Sequence, residues 1–458
     1  MKKHLLYIAS IVVLSFSSIA QENFQGVSGN MVVGDFDNDN IIDDIAAFNT
    51  AENIPVLQIW ESNNGFVTKQ NAKCRMPFDF LNASSLNSKI VSGDFDNDGY
   101  IDDIASIYEI SLNKTSVTVW INNSGEFTPQ RWWYGGDFDA NQVEQTIVSG
   151  DFDNDGYVDD IAAFYNYNQK KTKVYVWKSN GKQFSWPGTW WTGNDFNSVK
   201  IQGTTVSGDF DHDRFIDDIA SLYNYDDGYC KIFVWTSTKN RFKWPYTYFK
   251  QKDFNVSNVK NSIVSGDFNN NGYVDNIAAF YNNGENSSSI IVFEKENGRF
   301  GEPAEWWYGN NKNVTTKTRL VAGDFDENSA INNIMGLAID NNKASLIKWT
   351  AINNSFTVPE DVWKGEVLSE KENKTFANNK ELNLYPSPNN GHFTVDIPNS
   401  DDEYLTVTII NSLGSKIKSF QTKSGVSLPV NIDNITTGTY IIQITGSNFT
   451  LNKNFIIE

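Results

Sequence analysis

Asp151, Asp153 and Asp155 stand at alternate positions, Gly156 follows, and Asp159 and Asp160 close the run, so five carboxylates fall within residues 150–160. Like charges packed this densely repel unless a cation sits among them. Counted from Asp151, oxygens at positions one, three, five and nine, with the Tyr157 carbonyl at position seven, can converge on one hard cation that takes roughly six to eight oxygens. This is calcium spacing, turning at Gly156. An EF-hand needs a bidentate Glu at position twelve, where Ala162 stands, so the loop is of another kind. The residues that follow, "VDDIAAFYNY", are β-branched and aromatic with small residues between, and read as a strand.

The stretch recurs as "GDFDNDNIIDDIAAF" from Gly34, "GDFDNDGYIDDIASI" from Gly93, "GDFDHDRFIDDIASL" from Gly208, "GDFNNNGYVDNIAAF" from Gly266 and "GDFDENSAINNIMGL" from Gly323, a period of 57 to 59 residues. Other marks keep step with it. Trp60, Trp120, Trp177, Trp235, Phe293 and Trp349 recur in a "VYVWKSN"-like strand, and a second aromatic strand recurs as "RWWYGGDF", "TWWTGNDF", "TYFKQKDF" and "EWWYGNNK", with Trp363 at the same phase in the last copy. About four short strands per unit, separated by Gly, Asn and Asp turns, are the signature of a β-propeller blade. The 14% aromatic content supplies bulky side chains for wedge-shaped joints between blades. The expected fold is all-β: six blades over 21–365, with seven as the alternative, then a linker over 366–381 and a small Ig-like β-sandwich over 382–458.

The repeats resemble the FG-GAP or VCBS-like family, whose blades carry D-x-D-x-D-G-x-x-D between their first two strands. The resemblance covers about three quarters of the chain and implies bound Ca2+. Carried over copy by copy, it implies ligands Asp35, Asp37, Asp39, Ile41 (by its carbonyl) and Asp43; Asp94, Asp96, Asp98, Tyr100 and Asp102; Asp151, Asp153, Asp155, Tyr157 and Asp159; Asp209, Asp211, Asp213, Phe215 and Asp217. Copy five offers Asp267, Asn269, Asn271, Tyr273 and Asp275, a weaker set because two amides replace carboxylates. Copy six has Asp324, Asp326, Asn328 and Asn332 without the Gly, and no tightly held ion is expected there. The chain lacks literal "FG" and "GAP" steps.

The first twenty residues, basic at Lys2 and Lys3, then apolar, then small at Ser18 and Ala20, read as a secretory signal over 1–20. No later segment is long and apolar enough to span a membrane. Removing Lys2 and Lys3 takes the formal charge from −19 to −21, which argues against nucleic acid or anionic membrane as partners. Near the C-terminus, Tyr385-Pro386-x-Pro388 with Gly391 and Phe393, Leu413-Gly414, and Gly438-Thr439-Tyr440 resemble the C-terminal sorting domain of type IX secretion, although that family usually has Asn where Ser387 stands. The resemblance implies engagement of that machinery, then secretion or cell-surface attachment. The two cysteines, Cys74 and Cys230, fall in copies one and four, across the expected ring and too far apart to bridge.

Little in the sequence points to catalysis. His4 lies in the signal, His212 at position four of a calcium loop and His392 in the tail, so no Ser-His-Asp or Cys-His set is available to the repeats. The expected function is binding, of a glycan or a surface protein; an extracellular polysaccharide lyase or glycoside hydrolase on the same scaffold is the alternative. Neighbouring strand residues face opposite ways, so one ring of each Trp doublet should be free of packing. Trp133 with Asp137, Trp191 with Asp195, and Trp307 are therefore candidate sugar contacts. The competing reading, joint packing plus a turn-capping Asp, is the preferred one, because aromatic repeats so often only pack.

Overall fold

The computed structural model describes residues 31–366 and 382–457, apart from 52–53, 64–65, 72, 75–88, 112, 169, 226–228, 253, 260, 285–286, 297, 310–319, 341–342, 387, 398–403, 412–415, 433–434 and 446–449. The expected signal segment, and the expected linker from 367 onward, lie outside these residues. The chain divides into two compact units, 1–368 and 369–458. Among the described residues the only helices are short 3-10 turns at Ala140–Val143, Ser198–Ile201 and Val256–Asn258, and none is long and apolar enough to cross a membrane.

The first unit is a β-propeller built from an antiparallel meander that repeats with the sequence. In the third sheet Ile147–Gly150, Asp160–Asn166, Thr172–Trp177 and Gly188–Gly193 pair in chain order, with Ile147 opposite Ala163 and Ile161 opposite Trp177. Sheets of the same order begin at Met31–Gly34, Ile90–Gly93, Thr205–Gly208, Ile263–Gly266 and Leu320–Gly323. The second of these also carries Lys73–Cys74, paired in parallel with its outermost strand, Glu126–Gly135. Second strands read as unbroken apolar runs because both faces are covered: Ile161, Ala162, Ala163 and Phe164 are all fully buried. Alanine at the centre keeps the sheet thin enough for a neighbour on each side.

The first strands lie side by side in chain order, and the one at Leu320–Gly323 lies beside that at Met31–Gly34. One hydrogen bond repeats along the whole cycle. The N–H of Asp35 donates to the Ile101 carbonyl, Asp94 to Val158, Asp151 to Ile216, Asp209 to Val274, Asp267 to Ile331, and Asp324 back to Ile42. The glycine of each "GDF" makes this approach possible. A Cβ on Gly34 would stand 2.4 Å from the Ile101 carbonyl, and one on Gly323 would stand 2.6 Å from that of Ile42.

In the second unit the strands Asn383–Tyr385, His392–Asp396 and Ser427–Asn431 form one sheet; Lys416–Lys423, Tyr404–Asn411, Gly438–Thr445 and Thr450–Ile457 form another. Phe393, Val395, Val407, Ile409, Ile442 and Phe455 fill a common core. The two cysteines stay apart as thiols in different sheets. Cys230 is fully buried, and burial pushes the Cys74 thiol up to about 12.

Candidate metal centres

Each repeat turns between its first two strands through a loop whose shape is held by its own first carboxylate. The Asp35 oxygens accept the N–H groups of Asp39 at 2.8 Å and Asn40 at 2.9 Å; Asp151 does the same for Asp155 and Gly156. Positions four and six are left-handed in every copy, which suits Asn and Gly: Asn154 has φ 56° and Gly156 φ 103°. Arg214, Glu327 and Ser329 take the same conformation without that advantage, so the fourth and sixth loops are the strained ones. The sixth loop nevertheless keeps the shape, with Asp324 accepting from Asn328 and Ser329.

Four loops bring their first three carboxylates together. Asp35, Asp37 and Asp39; Asp94, Asp96 and Asp98; Asp151, Asp153 and Asp155; and Asp209, Asp211 and Asp213 each offer oxygens within 4.8 Å of one another. The ninth-position carboxylates Asp43, Asp102, Asp159 and Asp217 are buried beneath them. Both oxygens of Asp43 and of Asp159, one of Asp102 and one of Asp217 are buried with no hydrogen-bond partner. A buried bare carboxylate oxygen is costly, and a cation is the partner this donor set suits. Lys178 takes one Asp153 oxygen at 2.7 Å, but the other remains buried and unpartnered. Burial pushes Asp35, Asp94 and Asp151 up to about 6, Asp43, Asp159 and Asp217 to about 7, and Asp102 to about 8. The residues of the first four loops therefore fit calcium.

Loop five brings Asp267, Asn269, Asn271 and Asp275 onto the same turn but differs in its bonding. The N–H of Asp275 donates to the Tyr273 carbonyl at 2.9 Å, as that of Asn332 does to Ala330 in loop six. The carbonyl expected to reach the ion is thus engaged by its own chain.

Sequence reasoning passed over the tenth position. Asp44, Asp103, Asp160 and Asp218 are fully buried, and Asp160 accepts the N–H of Ser179 at 2.8 Å and of Asp153 at 3.1 Å. This carboxylate ties the loop to the end of the third strand; burial pushes it up to about 9. The visible signal was the doublet "DD", present in copies one to four.

The Trp doublets correct the expectation of a free ring. Trp132, Trp133, Trp190 and Trp191 are all buried, and Trp307 is half-buried against the same kind of joint. The cause is a bulge: Val117 pairs with Trp133 but Thr118 pairs with Arg131, leaving Trp132 as an extra residue, as Trp190 and Trp306 are in their sheets. A bulge breaks the alternation of faces, so both rings enter one joint. Trp133 meets Trp177 edge-on at 5.6 Å, and the pairs Trp191 with Trp235, Trp307 with Trp349 and Trp363 with Trp60 repeat that distance. Asp137 and Asp195 face solvent, Asp195 lying 3.4 Å from Lys170, while the Phe after each packs on the Trp. The exposed indoles are others: Trp186, 74% exposed, rests on Trp133 at 5.4 Å, and Trp244, 66% exposed, rests on Trp191 at 5.5 Å. The repeated "WP" step was their sequence signal.

Residues 383–458 match the family of secretion system C-terminal sorting domains. This domain directs the chain through type IX secretion to the cell surface or beyond. No curated protein matches the sequence. Among solved structures the chain is similar to TolB from Acinetobacter baumannii (TM-score 0.40, 10% identity, 71% of this chain and 65% of that one) and to the Dos1 propeller (TM-score 0.36, 11% identity, 82% and 91%). It is also similar to a Mycobacterium tuberculosis puromycin-hydrolyzing peptidase (TM-score 0.34, 10% identity, 78% of this chain); the chain spans 48% of that peptidase's length.

Proposed function

We propose that this chain is an extracellular, calcium-stabilised, six-bladed β-propeller of the FG-GAP or VCBS-like kind that binds glycans, with an Ig-like sorting domain at its C-terminal end. The six sheets in cyclic order support the blade number, and the unpartnered buried oxygens of loops one to four support the calcium. The observation that carries glycan binding is the pair Trp186 and Trp244. Each follows the same pattern, Trp-Pro-x-Thr, at the same place in adjacent sheets, and each lies on a buried Trp that fixes its tilt. A rigid, open indole costs hydration free energy that stacking on the C–H face of a sugar ring recovers. Two such plates on one scaffold suit a repeating polysaccharide.

The test is a glycan array probed with the calcium-loaded protein and with W186A/W244A. Binding that the double variant loses, at unchanged melting temperature and without cleavage of the bound glycan, is expected. Undiminished binding by the variant would remove the assignment, and product release would favour the lyase or hydrolase alternative.

A further inference from the structure

We infer that the fifth loop excludes calcium, its place being taken by side-chain donors of the protein itself, so that loops one to four are the ones that bind. This rests on the calcium reading of those four loops. In each of them the ninth-position carboxylate keeps a buried oxygen without a partner. Asp275 keeps none: Oδ2 lies 2.6 Å from His212 Nε2, Oδ1 accepts from Asn276 Nδ2 at 2.9 Å, and Asn271 Nδ2 stands 3.5 Å from both. The Tyr273 carbonyl is also engaged, by the Asp275 N–H.

The charge count agrees. Where loop three has Asp153, Asp155 and Asp160, loop five has Asn269, Asn271 and Asn276. Two residues past the third-strand aromatic, sheets one, three and four have Ser62, Ser179 and Ser237; sheet five has Lys295, only 5% exposed. At this place Ser179 and Ser237 reach the position-two carbonyl of the preceding loop, Phe95 and Phe152. Lys295 is buried, and the carboxylates whose charge acts on it are Asp275, then Asp218, Asp209 and Asp211, of loops four and five. A buried ammonium persists only when paired with anions. A second cation of higher charge at Asp275 would face both Lys295 and a carboxylate already committed to donors.

Wild-type crystals soaked in terbium chloride should carry anomalous density at loops one to four and none at loop five. Density at loop five would overturn the inference. Absence from every loop would remove the calcium reading itself, and with it the contrast. The variant H212N/N269D/N271D/K295S gives loop five the Asp153 and Asp155 of loop three, and puts in place of His212 of loop four and of Lys295 the Asn97 and Ser179 that stand at the corresponding places around loop three. It should bind one more calcium per chain than wild type by titration calorimetry; an unchanged count in a folded variant would also overturn the inference. If that variant does not fold, the terbium result on wild type stands as the test.

Discussion

A carboxylate buried without a cation has two ways out, to bind a proton or to leave the interior, and the loop residues show which applies. Asp35 is pushed up to about 6, Asp43 to about 7 and Asp102 to about 8, all by burial. Their folded values lie above the unfolded one, so the native state holds more protons than the unfolded chain across that interval. Their contribution to stability is fully present in acid and is lost as pH rises through about 6 to 8. In excess chelator the melting temperature should therefore fall between pH 5 and pH 8.5. Saturating calcium should abolish that fall, because the ion replaces the protons. A chelated protein whose melting temperature is flat over this range would contradict the buried carboxylates as the source. The convergence of the first three carboxylates in loops one to four was legible in the sequence, since a loop able to wrap an ion fixes donor spacing residue by residue. Asp160 was not, because a carboxylate that only accepts backbone N–H groups imposes no such spacing.

At the scale of the strand, the doublets explain where reading by alternation stops. Period two tells which face a residue takes only while the ladder is regular, and the extra residue at Trp132, Trp190 or Trp306 leaves no mark of its own in the sequence. Strand order and the apolar second strand were legible because burial on both faces demands an unbroken run. The joint partner of Trp191 was not, since it depends on which sheets meet. Trp191 is 6% exposed and packs on Trp235, Phe196 and Trp244, so W191A should cost about 3–5 kcal/mol through the cavity it opens. W186A, removing a ring that is 74% exposed, should change stability within about 1 kcal/mol. Denaturant unfolding of the two variants checks the order. Equal costs would mean that the exposed indole is structural.

For the whole first unit, one joint differs from the rest, because the sheets it joins are the first and the last of that unit. Every other joint links sheets that are consecutive in sequence. This one must close a loop of nearly the entire unit, and it is held by the Asp324 N–H on the Ile42 carbonyl and by Trp363 on Trp60. Loop-closure entropy grows only slowly with length, so the joint can be as firm as its neighbours while intact. Once weakened, however, it is the only joint whose opening leaves two sheet faces bare without a short connection to bring them back. W363A should therefore loosen the first and last sheets together. Amide exchange should rise in Met31–Gly34 and Leu320–Gly323, while Ile147–Gly150, on the far side of the cycle, keeps its protection. In W191A the gain should fall on the third and fourth sheets instead. If W363A raised exchange only in the sheet that carries it, the contact between first and last sheets would not be a stabilising joint.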